Sequence, residues 1–163
     1  MTRSLRILMV SDVSPASILG GAERVLWEQA SRLAMRGHAV HVLSRCPAGG
    51  AAATIERQGV GIRHFPADRR SLLCFFVSSI LQARRAVTRL IAEAGWEILH
   101  LYQPFSGYGA LHARRAKGLP SLYTFLSPAP LEYISRRGMT EHHRTGLVGR
   151  AVELMLWKIE RAC

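Results

Sequence analysis

Residues 7–11, Ile-Leu-Met-Val-Ser, form a short apolar run, and a segment of helical period follows it. That succession constrains the fold more than any other feature. A strand without polar alternation is buried on both faces, and such strands occur in parallel sheets covered by helices. Apolar positions Ala22, Val25, Leu26, Ala30, Leu33 and Ala34 then follow the three–four spacing of a helix over 22–36, which Gly37 ends. The succession repeats. Further strands are predicted over 39–43, 60–65, 97–101 and 121–125, with Pro66 closing the second of these. A long helix over 71–94, capped by Ser71 and ended by Gly95, precedes the fourth strand of the series. A short helix over 107–117, stopped by Gly118, precedes the fifth. Residues 47–53 read as a Gly/Ala-rich loop, and a last helix is expected from beyond Thr140 to the C-terminus. The alternation predicts an α/β fold: a doubly wound, mainly parallel Rossmann-like sheet with helices on both faces. Ligands bind such sheets outside the carboxyl ends of the strands, which here are the loops after Ser11, Ser44, Leu101 and Phe125.

At 163 residues the chain has the length of one domain, and 48% hydrophobic against 20% charged residues marks it as globular. Cys46, Cys74 and Cys163 are odd in number, far apart and without CxxC spacing, so a reducing, cytoplasmic setting fits better than a disulfide framework. The apolar run behind the N-terminal arginines is too short and too charged for a signal peptide. The stretch 72–81 reaches only about half the roughly twenty residues that span a bilayer.

The net charge is +11, from 22 Lys and Arg against 11 Asp and Glu, which favours an anionic partner. The basic residues are scattered and no base-stacking aromatic motif accompanies them, so nucleic acid is not expected. The long helix has another option. Arg69, Arg70, Arg84, Arg85 and Arg89 flank Phe75, Phe76, Val77, Ile80 and Leu81, an arrangement that suits either an anionic membrane surface or a core helix with solvated ends. Peripheral association with the inner face of a membrane therefore stands beside a purely cytoplasmic location.

Gly20 and Gly21 open the first helix directly after the loop that leaves the first strand. Glycines there allow close backbone approach, and the helix N-terminus offers free N–H groups to a phosphate. A turn with no ligand fits the same spacing. The dinucleotide fingerprint GxGxxG is absent, and Ser44-Arg45 stands where an acidic residue would end the second strand. Arg45 could face a 2′-phosphate, but without the partner motif. His100 ends the fourth strand in His-Leu-Tyr-Gln-Pro, where it could transfer a proton, bind a hydroxyl or simply pack. Thr124-Phe-Leu-Ser lies on the same edge, followed by Glu132, a candidate for sugar hydroxyls or a solvated carboxylate. The remaining histidines have no metal-ligand spacing, and the chain contains no Walker, GxSxG, HExxH or cysteine-based zinc motif.

The strand Ile7-Leu-Met-Val-Ser, the block Gly20-Gly-Ala-Glu-Arg with its helix, Trp96-Glu-Ile-Leu-His-Leu-Tyr-Gln-Pro and Pro120-Ser-Leu-Tyr-Thr-Phe together resemble the N-terminal domain of family 4 glycosyltransferases. The likeness runs from Leu5 to about Glu132. It implies one half of a two-domain GT-B architecture, in which the N-terminal half holds the acceptor and an absent C-terminal half holds a nucleotide sugar. It also implies transfer with retention, without a metal or a cofactor other than the donor itself. On this likeness His100 is the catalytic candidate. Gly20, Gly21, Glu23, Tyr102, Gln103, Thr124, Ser127 and Glu132 are assigned to the donor phosphate or to a glycan or lipid-linked acceptor. Two positions depart from the family. Leu126 stands where a histidine often follows the Thr-Phe pair, and Tyr102 stands where a second histidine often occurs. Leucine can neither donate a hydrogen bond nor carry a proton. The chain also ends at Cys163 inside a helical pattern, so residues 1–163 are expected to be the truncated acceptor-side domain, inactive alone. The alternative expectation is a non-catalytic module that binds a glycan or an anionic lipid.

Overall fold

A computed structural model describes residues 3–17, 20–48, 50, 54–126 and 147–163, with side chains in the last of these segments from residue 153 onward. Six strands, β1 (Arg6–Ser11), β2 (Ala39–Arg45), β3 (Thr54–Arg57), β4 (Val60–Phe65), β5 (Ile98–Leu101) and β6 (Ser121–Tyr123), form one sheet in the order β3-β4-β2-β1-β5-β6. Every pairing is parallel except β3 with β4. The helices are α1 (Gly21–Met35), α2 (Leu72–Glu93), α3 (Pro104–Leu111) and α4 (Leu147–Ala162), with a 3-10 turn at Arg114–Ala116. The architecture is the doubly wound, mainly parallel Rossmann-like sheet that the alternation predicts.

Period-two alternation along the buried strands divides the core into two layers. Ile7, Met9, Val40, Val42, Val60 and Ile62 pack with Leu26, Trp27 and Ala30 of α1 on one face. Leu8, Val10, Leu43, Leu99 and Leu101 pack with Ala83, Val87 and Leu90 of α2 and with Ala110 of α3 on the other. The α2–α3 crossing is tight. A Cβ at Gly109 would lie 2.4 Å from the Ile80 carbonyl oxygen, so only glycine lets the two backbones meet there.

Three elements differ from the sequence expectation. β3 replaces the end of a loop. Its sequence Thr-Ile-Glu-Arg is short, polar and exposed throughout, and it is held by pairing to β4 across a two-residue turn. Gln58 and Gly59 both have positive φ (49° and 75°), as a type I′ hairpin turn requires. The helix expected over 107–117 begins earlier, at Pro104, whose ring presets the first helical φ, and its second half is a separate 3-10 turn. β6 stops at Tyr123, two residues short of the expected end. The expected start of the last helix, just beyond Thr140, lies outside the described residues, and α4 is described from Leu147.

Candidate functional site

The chain reaches β2 and β4 through α1 on one face and returns through α2 on the other, so the winding reverses between β1 and β5. The carboxyl ends of these two strands are therefore the place where loops part and a ligand can enter. Gln103 ties the two loops together. Its Oε1 accepts from Ser11 Oγ at 2.6 Å and from the Asp12 amide at 2.8 Å. Asp12 is itself buried and caps α3, accepting from the amides of Phe105 (3.3 Å) and Ser106 (3.1 Å). Arg45 Nη1 lies 3.7 Å from the same carboxylate. Burial pushes the Asp12 carboxyl above its ordinary range, while Arg45 and the two amides pull it back.

Above this clasp lies a cleft of about 160 Å³ between the loops after β1 and β2 and the first turn of α1. Its lining includes Asp12, Ser14, Ser17, Glu23, Arg45 and Arg69. Gly20 caps α1 with extended backbone and no side-chain hydrogen bond, so no side chain of the N-cap residue occupies the first-turn amides. The space beside Gly21 is open, with nothing within 4 Å of a Cβ built there. Glu23 stands in this first turn, and its carboxylate lies 3.1 Å from where a Cβ on Gly20 would sit. Arg69 donates to the Cys46 carbonyl (3.1 Å) and lies over the Phe75 ring. The cleft thus sets the Arg69 cation near the Glu23 carboxylate of the α1 first turn, a pair that can hold an anion and a hydroxyl side by side.

His100 belongs to a second, more deeply packed group. It shares the α1 face of the sheet with Tyr102 and is 6% exposed. Its Nε2 and Thr124 Oγ1 are 2.7 Å apart, and its ring lies against that of Tyr102. The Tyr102 hydroxyl donates to Gln29 Oε1 on α1 at 2.5 Å. Burial lowers the His100 pKa to about 4, which keeps the imidazole neutral near pH 7. His100 thus holds Thr124, the first residue past β6, at the sheet edge.

Among the sequence-assigned residues, Glu23 lines the cleft, Gly20 and Gly21 begin the helix turn that carries it, and Gln103 ties the loops beneath it. His100, Tyr102 and Thr124 form the packed group. Ser127 and Glu132 lie outside the described residues. Leu126 is 36% exposed. Arg45 lines the cleft but turns its Nη1 to Asp12 and to Ser79 Oγ (3.2 Å), with its guanidinium over the Phe75 ring. Sequence reasoning missed Asp12, Ser14 and Arg69. An acidic residue directly after the first buried strand was the available signal for Asp12. Ser14 Oγ meets His64 Nε2 at 2.8 Å, a contact between distant loops with no sequence signature. Among the described residues no cluster of His, Cys, Asp or Glu could hold a metal ion, and no helix is long and apolar enough to cross a membrane.

Fold and edge together define a Rossmann-like domain with a cleft at the carboxyl ends of β1 and β2, next to the point where the winding reverses. The sequence matches Glycosyltransferase Family 4 over residues 19–163, and the chain belongs to that family. A search among curated proteins finds no match. Among solved structures, sucrose-phosphate synthase from Thermosynechococcus elongatus is similar with a TM-score of 0.71 and 19% identity, over 96% of this chain and 39% of that one. A glycosyltransferase from Rickettsia africae is similar with a TM-score of 0.50 and 19% identity, over 82% of this chain and 34% of that one. The C-terminal domain of a hydrogenase from Pyrococcus furiosus shares the fold at 14% identity and a TM-score of 0.55, over 77% of this chain and 94% of that domain. At these identities the likeness is one of fold, and the chain spans well under half of the sucrose-phosphate synthase and of the Rickettsia glycosyltransferase.

Proposed function

We propose that this chain forms the acceptor-side wall of a nucleotide-sugar glycosyltransferase, with the cleft over Asp12 taking part of the donor phosphate and of a glycan or lipid-linked acceptor. The observation that carries the reading is the α1 N-terminus. Its N-cap glycine makes no side-chain cap, Gly21 leaves open space, and Glu23 stands beside it in a chain of Glycosyltransferase Family 4. In this reading the first-turn amides stabilise phosphate charge and Glu23 accepts from a sugar or acceptor hydroxyl. His100 acts as a positioning residue that fixes Thr124 at the edge of the site, and Ser127 and Glu132 extend the acceptor contacts. Transfer with retention needs the opposite wall, a donor-binding domain, so the chain alone is inactive.

The test joins the chain to the donor-binding domain of a family member and follows release of labelled sugar from a nucleotide sugar. Transfer or donor hydrolysis is expected. Gly21→Val should reduce it on the order of a hundredfold, the scale on which misplacing reacting groups acts, with the thermal midpoint unchanged because the Cβ position is open. A joined protein that neither transfers nor hydrolyses the donor overturns the reading.

A further inference from the structure

We propose that the outward face of α2, together with the 3-10 turn beside it, docks on an anionic lipid surface. Leu73, Val77 and Leu81 recur at the four-residue spacing of one helix face and are 66%, 46% and 43% exposed. Large apolar side chains exposed at this spacing form a stripe without a partner among the described residues, not scattered surface residues. Along the same helix the exposed positions become Arg84, Arg85 and Arg89. Ala113 and Ala116 pack with Ala83, Val87 and Leu90, which lays the turn against α2 and adds the exposed Arg114, Arg115 and Lys117. None of these six cations is in an ion pair among the described residues. The one carboxylate of α2, Glu93, is turned to Arg63 at 2.5 Å.

Charge complementarity selects the occupant. A second copy of this face would bring more cations and no free carboxylate to neutralise them. A nucleic acid would satisfy the arginines and leave the leucines in water, since none of the three stripe residues is an aromatic that bases could stack on. An anionic bilayer answers both parts. Its headgroups meet the arginines while its acyl boundary takes Leu73, Val77 and Leu81. This does not depend on the proposed reaction, and it concerns a different face from the cleft.

The experiment is co-sedimentation of the full chain with vesicles of phosphatidylcholine alone or mixed with phosphatidylglycerol. Binding is expected only with phosphatidylglycerol and should weaken as salt is raised. Replacing Arg84, Arg85 and Arg89 by glutamine should weaken it on the order of a hundredfold, from roughly a factor of five per charge near an anionic surface. Leu73→Ser, Val77→Ser and Leu81→Ser combined should lose binding while circular dichroism and the melting temperature stay at parent values. The proposal is overturned if the parent ignores phosphatidylglycerol vesicles at low salt, or if both variants bind as the parent does. It is also overturned if the serine variant merely dissociates a dimer, or if duplex DNA is bound more tightly than vesicles and the serine variant leaves that unchanged.

Discussion

At the scale of single residues, Asp12 and His100 are buried polar groups that serve the site from underneath. Asp12 accepts two α3 amides and faces Arg45. Asp12→Ala would leave a buried guanidinium without its counter-charge, a loss of about 3–5 kcal/mol. Urea titration should show it as a lower midpoint. Adding Arg45→Met should recover part of the loss, because the unpaired charge goes with it. His100 gives a pH signature. Its pKa is about 4 in the fold against an ordinary 6.5, so the unfolded chain binds that proton more readily. Its contribution is complete above pH 6.5 and is lost as pH falls towards about 4, up to about 3 kcal/mol. His41, also lowered, acts in the same sense. The difference between parent and His100→Gln across that window isolates His100. Equal acid sensitivity in both would refute its neutral burial.

Among the elements, the α2–α3 crossing is the least forgiving contact. Gly109→Ala places a methyl 2.4 Å from the Ile80 carbonyl oxygen and 3.2 Å from Ala83 Cβ, backbone and core atoms that cannot swing aside. A destabilisation of about 1–3 kcal/mol is expected, measurable as a drop in thermal midpoint, whereas Gly21→Val at an open position should cost little. The long elements were legible in the sequence because their periodicity and end signals agree. β1 is apolar from Ile7 to Val10, and α2 carries Ser71 at its start, where the side chain accepts from the Cys74 amide at 3.1 Å. β3 was not legible, because its four exposed residues owe their strand geometry to β4 and a positive-φ turn. The site divides in the same way. Gly20 and Gly21 could be read from local spacing and Glu23 from the family likeness, while the Gln103 clasp and the Ser14–His64 contact join positions far apart in the chain.

Over the whole molecule, charge is the dominant global property. A surplus of 11 cations repels itself across a small domain. Several carboxylates already pair locally, Glu97 with Arg3, Glu28 with Arg32, Glu93 with Arg63 and Asp68 with Arg70. Such exposed pairs are individually weak, so they do not offset the net repulsion. Raising salt from low to physiological concentration should therefore raise the melting temperature, and scanning calorimetry over a salt series checks this. A midpoint that falls with salt would mean that the local pairs outweigh the global field.

The central place of β1 also sets a timetable. Its edge toward β2 closes through α1 alone, but its other edge waits for β5, where Ile7 meets Ile98. Contacts that distant in sequence form slowly, because the intervening chain must first be gathered in. While the chain emerges from the ribosome, β1, α1 and β2 can assemble as a half-sheet with two hydrogen-bonding edges open, that of β2 toward β4 and that of β1 toward β5. The cleft over Asp12 cannot exist in that half-sheet, since the amides that hold its carboxylate belong to α3, which follows β5.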